Sequence, residues 1–145
     1  MRYHAPDDRL VITNPTPEQL DRELRTRPHS YWQSGGNGEA SLDAGPGEPA
    51  LWIKQPEPGW FFLTYSRPDT NWLVPYSGGS CEDLVQDERG GDLFLIPRAC
   101  LVDTDSAVEL VKSFLASREP GSSVTWRYWH ELPLPDEAVR WSGGD

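Results

Sequence analysis

The stretch Trp60-Phe61-Phe62-Leu63-Thr64-Tyr65 decides how this chain folds. Apolar side chains occupy both faces of its period-two pattern, which marks a central strand covered on each side. Ser66-Arg67-Pro68-Asp69-Thr70 is short enough to return the chain antiparallel into Asn71-Trp72-Leu73-Val74-Pro75-Tyr76. Pro75 has no N–H to give a ladder, so this second strand lies at an edge or ends there. On the N-terminal side, Leu51-Trp52-Ile53-Lys54 reads as a third strand, broken by Pro56, Pro58 and Gly59. An antiparallel centre follows.

Outward from that centre the elements become shorter. Arg9-Leu10-Val11-Ile12-Thr13 is a β-branched run bounded by Pro15 and reads as a strand. Thr16-Pro17-Glu18-Gln19 supplies an N-cap, a proline at the first helical position and a glutamine three residues after the cap. Leu20 and Leu24 share one helical stripe, and Pro28 closes that helix. Tyr31-Trp32-Gln33 opens another strand, and the glycines and prolines between 34 and 50 predict a loop. Ser77 to Gly91 reads as a long acidic loop before the strand Asp92-Leu93-Phe94-Leu95-Ile96. A helix is predicted over Asp103 to Ser117, capped by Asp103 or Thr104, with Ala107, Val108, Val111, Phe114 and Leu115 as its apolar stripe. Pro120-Gly121 stops it, and Val124 to Trp129 forms a last strand with Val124, Trp126 and Tyr128 on one side. There is no internal repeat. The expectation is one α+β domain over residues 1–145, a mainly antiparallel sheet with two α-helices packed on one face.

Composition narrows the function. Hydrophobic residues make up 37% and charged residues 25% of 145, with 16 aromatics of which 7 are Trp, and such a chain has the apolar material for a core. No apolar run approaches the ~20 residues of a membrane helix. The opening Met1-Arg2-Tyr3-His4-Ala5-Pro6-Asp7-Asp8 has no apolar secretion-signal core, so a cytosolic protein is expected. The net charge is −10 and unevenly spread, with four basic and eleven acidic residues across 31–103. Such a surface repels phosphate backbones, which argues against direct nucleic-acid binding, and attracts basic partners. Solubility alone is the other reading of the same charge.

No catalytic frame emerges from the reactive residue types. His4, His29 and His130 are isolated, and Leu132-Pro133 after His130-Glu131 breaks the helix that an H-E-x-x-H metal site needs. Asp103-Thr104-Asp105 is explained by capping. Cys81 and Cys100 have no C-x-x-C spacing and read as reduced thiols, and Ser77-Gly78-Gly79-Ser80-Cys81 is not a nucleophile elbow. No cofactor, metal or small-molecule substrate is expected. The surplus features are acidic and aromatic: Glu82, Asp83, Asp87, Glu88 and Asp92 crowd one stretch offset only by Arg89. They form either a solvated loop or a docking element in which carboxylates steer a basic protein and Trp72 and Tyr76 supply contact area. Trp60 and Trp126 read as structural, Trp52 and Trp72 as exposed. Two rivals stand beside docking, namely a hydrolase or transferase using His130 with Glu131 or Asp136, and an acidic scaffold protein.

A strand ending near Val102, then Asp103, Ala107-Val108, Val111, Phe114-Leu115, Pro120 and Val124-Thr125-Trp126, resembles the first-numbered Imm family of bacterial polymorphic-toxin immunity proteins. Gly59-Trp60-Phe61-Phe62-Leu63 and Trp72 to Gly79 look like the central hairpin of that family. The resemblance spans about two thirds of the chain, rests on fold-defining residues and identifies no binding surface. Ser117 stands where a glycine is common, and the glycine-rich segment 35–47 is not diagnostic. What the resemblance implies is a cytosolic antitoxin without enzymatic activity. It would bind the toxin domain encoded beside it, and toxins of this kind include nucleic-acid deaminases and nucleases.

Overall fold

The computed structural model describes residues 1–7, 9–34, 38–89 and 92–138, without the side chains of residues 88, 89 and 92. In chain order the strands are β1 (Arg2–His4), β2 (Val11–Thr13), β3 (Glu39–Asp43), β4 (Ala50–Glu57), β5 (Trp60–Ser66) and β6 (Leu73–Pro75). They continue as β7 (Leu84–Arg89), β8 (Asp92–Pro97), β9 (Val102–Asp103) and β10 (Trp126–Tyr128). The helices are α1 (Pro17–Thr26), α2 (His29–Trp32) and α3 (Thr104–Ser117). Among the described residues, eight strands form one antiparallel sheet in the order β10-β6-β5-β4-β3-β1-β2, with β9 also paired to β5. β7 and β8 make a separate two-stranded hairpin.

β5 is central because both of its faces are claimed. Phe61, Leu63 and Tyr65 point toward α1 and α3, where they join Leu51 and Ile53 of β4 and Leu20, Leu24, Val108 and Phe114 of the helices. Phe62 points the other way into a second core with Val74, Val85, Phe94, Ile96 and Trp129. Its ring packs edge-on against Phe94 at 6.0 Å and Trp129 at 5.8 Å. Each such side chain, fully buried, contributes about 1.5–3 kcal/mol. The architecture is α+β: α1 and α3 cover one face of the sheet, and the β7–β8 hairpin covers part of the other.

The predicted helices form for the reasons their termini give. Thr16 Oγ1 accepts from the Gln19 N–H at 3.2 Å while Gln19 Oε1 accepts from the Thr16 N–H at 2.9 Å, a complete capping box. Asp103 rather than Thr104 caps α3, accepting from the Ser106 N–H at 2.8 Å. That helix ends on Arg118, whose left-handed φ of 60° lets its N–H reach the Phe114 carbonyl at 2.7 Å, before Pro120 and Gly121 are reached.

Several expectations are corrected. Tyr31-Trp32-Gln33 is not a strand; residues 29–32 form the helical turn α2, which drives Trp32 into the first core edge-on to Phe61 at 5.4 Å. The segment expected as loop at 34–50 contains β3, in which Ala40 and Leu42 alternate inward. β4 runs on through Pro56, because the register shifts between Lys54 and Glu57 and a bulge needs no regular ladder there. Residues 84–89, expected inside an acidic loop, are strand β7. The last strand is shorter than Val124–Trp129, since a 3₁₀ turn takes over at Trp129. Trp60 is not a core residue but 43% exposed, whereas Trp126 packs on the first core and donates its indole N–H to the Gly121 carbonyl at 2.7 Å.

Candidate functional site

The face of the sheet turned away from the helices is only half covered. On it, Trp52 lies opposite Thr64 and Ser41, and Lys54 opposite Phe62 and Glu39. The hairpin packs over this face through the second core and through an ion pair, Lys54 Nζ to Asp87 Oδ2 at 3.2 Å, both side chains 3–4% exposed. Asp87 therefore cannot be an exposed docking carboxylate. Pairing with Phe94 in the hairpin register turns its side chain inward toward the sheet, where Lys54 meets it.

Beside that ion pair the hairpin leaves a cleft of about 330 Å³. Trp52, Phe62, Thr64 and Ser66 line it from β4 and β5, and Trp72 and Phe94 from the segments above. Glu39 of β3 adds a half-buried carboxylate. The small side chains Thr64 and Ser66 between bulky indoles are what keep the space open. Trp52 is 36% exposed, and its indole N–H donates to Ser66 Oγ at 3.1 Å, which fixes the plane of the ring. Such a cleft is at the small end of the range for ligand and side-chain pockets, about 300–1,000 Å³.

The other docking candidates separate from one another. Glu82 and Asp83 are exposed just before the hairpin begins, at the end opposite its tip. Glu82 donates its backbone N–H to Ser80 Oγ at 3.0 Å, and the Asp83 carbonyl accepts the Arg98 N–H at 2.8 Å. The Asp83 carboxylate is 3.5 Å from Arg98 Nε, but Arg98 is closer to Glu57, at 2.8 Å, and holds the Glu57 carboxyl below the usual carboxylate range. Asp83 is still 67% exposed at the side chain, so most of its charge faces solvent. The Glu88 side chain lies outside the described atoms, as does that of Asp92. Trp72 lines the cleft, but Tyr76 does not: its hydroxyl donates to the Gly79 carbonyl at 2.6 Å, and its ring packs beside the second core. Tyr76 lines a different hollow with Pro75, Ala99, Leu101 and Thr125.

The remaining reactive residues do not converge on the cleft. His130 is exposed, with Nε2 at 3.9 Å from Glu131 Oε1, beyond hydrogen-bond reach, and Asp136 is exposed. His29 Nδ1 shares a hydrogen bond with Gln55 Oε1 at 2.7 Å. Cys81 and Cys100 are free and both buried in the second core; burial, then the neighbouring Cys81, pushes the Cys100 thiol up to about 12. Among the described residues, no three His, Cys, Asp or Glu side chains are grouped to hold a metal ion, and no helix is long and apolar enough to cross a membrane.

The sequence reading missed Phe94, Thr64, Ser66 and Glu39 as cleft residues. A signal existed: once Leu51, Ile53, Leu63 and Tyr65 are assigned to the helix side, alternation places Trp52, Thr64 and Ser66 together on the other. Compared with known proteins, the chain matches no family model and no curated protein.

Proposed function

We propose that this chain is an immunity protein: it binds a cognate toxin domain that acts on nucleic acid, a deaminase or a nuclease, and blocks its basic cleft. The observation that carries the reading is the pairing of a net charge of −10 with an open aromatic cleft on the sheet face that the helices leave free. A toxin that grips phosphate presents cations, and an acidic protein competes for that same surface. Exposed carboxylates such as Glu82 and Asp83 speed the encounter, and indole rings supply contact once the surfaces meet. An interface of standard size, about 1,600 Å² in total, fits on a chain of this length. The resemblance of 59–63, 72–79 and 96–126 to immunity proteins supports the same reading, and a cytosolic location, where the toxin would act, is part of the proposal.

The test is co-expression with the toxin domain encoded by the neighbouring gene, followed by purification on a tag carried by the toxin. A stoichiometric complex and survival of the host are expected. Absence of a complex, or absence of any toxin gene alongside, overturns the reading in favour of an acidic scaffold protein. The rival of a His130-based hydrolase or transferase has the weaker geometry, because His130 and Glu131 stand 3.9 Å apart on an open surface.

A further inference from the structure

We infer that the outer edge of β2 is a self-association surface, where two copies of this chain pair Val11–Thr13 antiparallel about a two-fold axis. The inference is independent of the immunity reading.

β2 and β10 stand at the two ends of the main sheet. In antiparallel pairing every second residue bonds to the neighbouring strand, and the residues between turn their N–H and C=O groups away from it. The Ala5 N–H donates to the Leu10 carbonyl at 3.0 Å and the Asn14 N–H to the Met1 carbonyl at 2.8 Å, so Leu10, Ile12 and Asn14 face β1. Val11 and Thr13 therefore face outward, and among the described residues no strand pairs with them on that side. Both side chains are exposed, Val11 by 47%. The other end of the sheet differs. There the same alternation turns the Trp126 carbonyl outward, but Arg127 Nη1 folds back and donates to it at 3.1 Å. β2 is short, yet it carries neither the charge nor the proline that guards an edge against strand addition.

A second copy is the occupant that fits. A two-fold axis through Ile12 sets Val11 opposite Thr13 of the second copy, and Thr13 opposite its Val11, and each pair exchanges both N–H···O bonds. Such an axis brings like side chains together, so a charge on the seam would meet its own copy; Leu10 to Pro17 carry none. Residues 1–30 hold five basic and five acidic side chains, so the whole net charge of −10 lies in 31–145. A basic partner is drawn there, and another acidic chain is repelled least at the neutral edge. Asn14, at a left-handed φ of 50°, and Pro15, without an N–H, end the ladder. A seam this short belongs with interfaces below ~1,200 Å², which are transient. Ile12 packs on the first core, so the two Ile12 side chains meet on the helix side and both clefts open on the other.

Sedimentation velocity of the full chain from about 1 μM to about 1 mM reads the association. The expected result is a mass rising from one chain toward two and no further, because only one end of each sheet is open. Thr13→Pro removes an outward N–H without touching the ladder to β1, and Val11→Lys adds an edge charge. Each should raise the dissociation constant about tenfold or more. Thermal unfolding checks both folds, and Val11→Lys carries the test where Thr13→Pro does not fold. Amide exchange at high concentration should slow at Val11 and Thr13 and not at Trp126 or Tyr128. A single-chain mass at every concentration, growth beyond a dimer, or a dimer unaffected by a folded edge variant would each overturn the inference. Protection of Val11 and Thr13 only when the neighbouring gene's toxin domain is added would assign the edge to that partner and overturn the second copy.

Discussion

Lys54 and Asp87 meet 3.2 Å apart, each nearly sealed from water, and the contact joins the β7–β8 hairpin to the middle of the main sheet. Two charges taken out of water repay their desolvation only while both are present. Asp87→Asn should therefore cost about 3–5 kcal/mol, whereas the paired change of Lys54→Met with Asp87→Leu should be near neutral or stabilising. Urea denaturation of the three proteins measures the difference. A loss below about 1 kcal/mol for Asp87→Asn would place this contact in the class of surface pairs.

The exposed carboxylates should act on rate. Glu82→Lys with Asp83→Lys is expected to lower the association rate with the toxin by about tenfold at low salt and to flatten its salt dependence, leaving dissociation little changed. Surface plasmon resonance across a salt series reports both. Rates equal to wild type at every salt concentration would remove the start of the hairpin from the encounter surface.

How much of this was legible beforehand differs by element. Helices α1 and α3 were, because their caps are local chemistry: Thr16 with Gln19, and Asp103 with Ser106, are each fixed within four residues. The double-sided strand at Trp60–Ser66 was also legible, apart from Trp60 itself, which the turn at Pro58 and Gly59 leaves in solvent. What was not legible depends on long-range partners. Residues 84–89 look like an acidic loop until Lys54, some thirty positions away, gives Asp87 a reason to turn inward. β3 was hidden by the glycines around it, and Trp32 by a helical turn too short to show a period. The candidate site was half legible. Trp52 and Trp72 stood out as surplus rings, but Thr64, Ser66 and Glu39 acquire meaning only from the cleft they border.

Removing the caps should cost stability, and one cap should depend on pH. Thr16→Ala and Asp103→Ala are each expected to cost about 1 kcal/mol. The backbone N–H of Ser106, and then its hydroxyl, hold the Asp103 carboxyl below the usual carboxylate range. Folding lowers this pKa, so its contribution is whole above the ordinary value near 3.9 and is lost as pH falls through the lower folded value. Asp21, lowered chiefly by its hydrogen bond from Lys112, and Glu57, lowered by Arg98, act in the same sense. Asp103→Asn keeps an acceptor at the cap; it should match wild type only at a pH below the lowered folded value and lose part of the wild type's gain above about pH 4. Denaturation midpoints across that interval measure it, and identical pH profiles for the two proteins would contradict the assignment.

The thiols should be inert in the folded protein. Cys81 and Cys100 are buried, and Cys100 carries a pKa pushed up to about 12, so thiolate is scarce at neutral pH. Neither should react with a thiol-specific disulfide reagent within the time that the denatured chain reacts at both. Rapid native labelling at Cys100 would show that the second core opens readily under native conditions.

The most direct measurement is inhibition of the purified toxin domain on its nucleic-acid substrate, titrated with this chain at several salt and substrate concentrations. Stoichiometric inhibition that weakens with added salt and is relieved by excess nucleic acid is the predicted result. An undiminished toxin rate at low salt with this chain in molar excess would contradict the account.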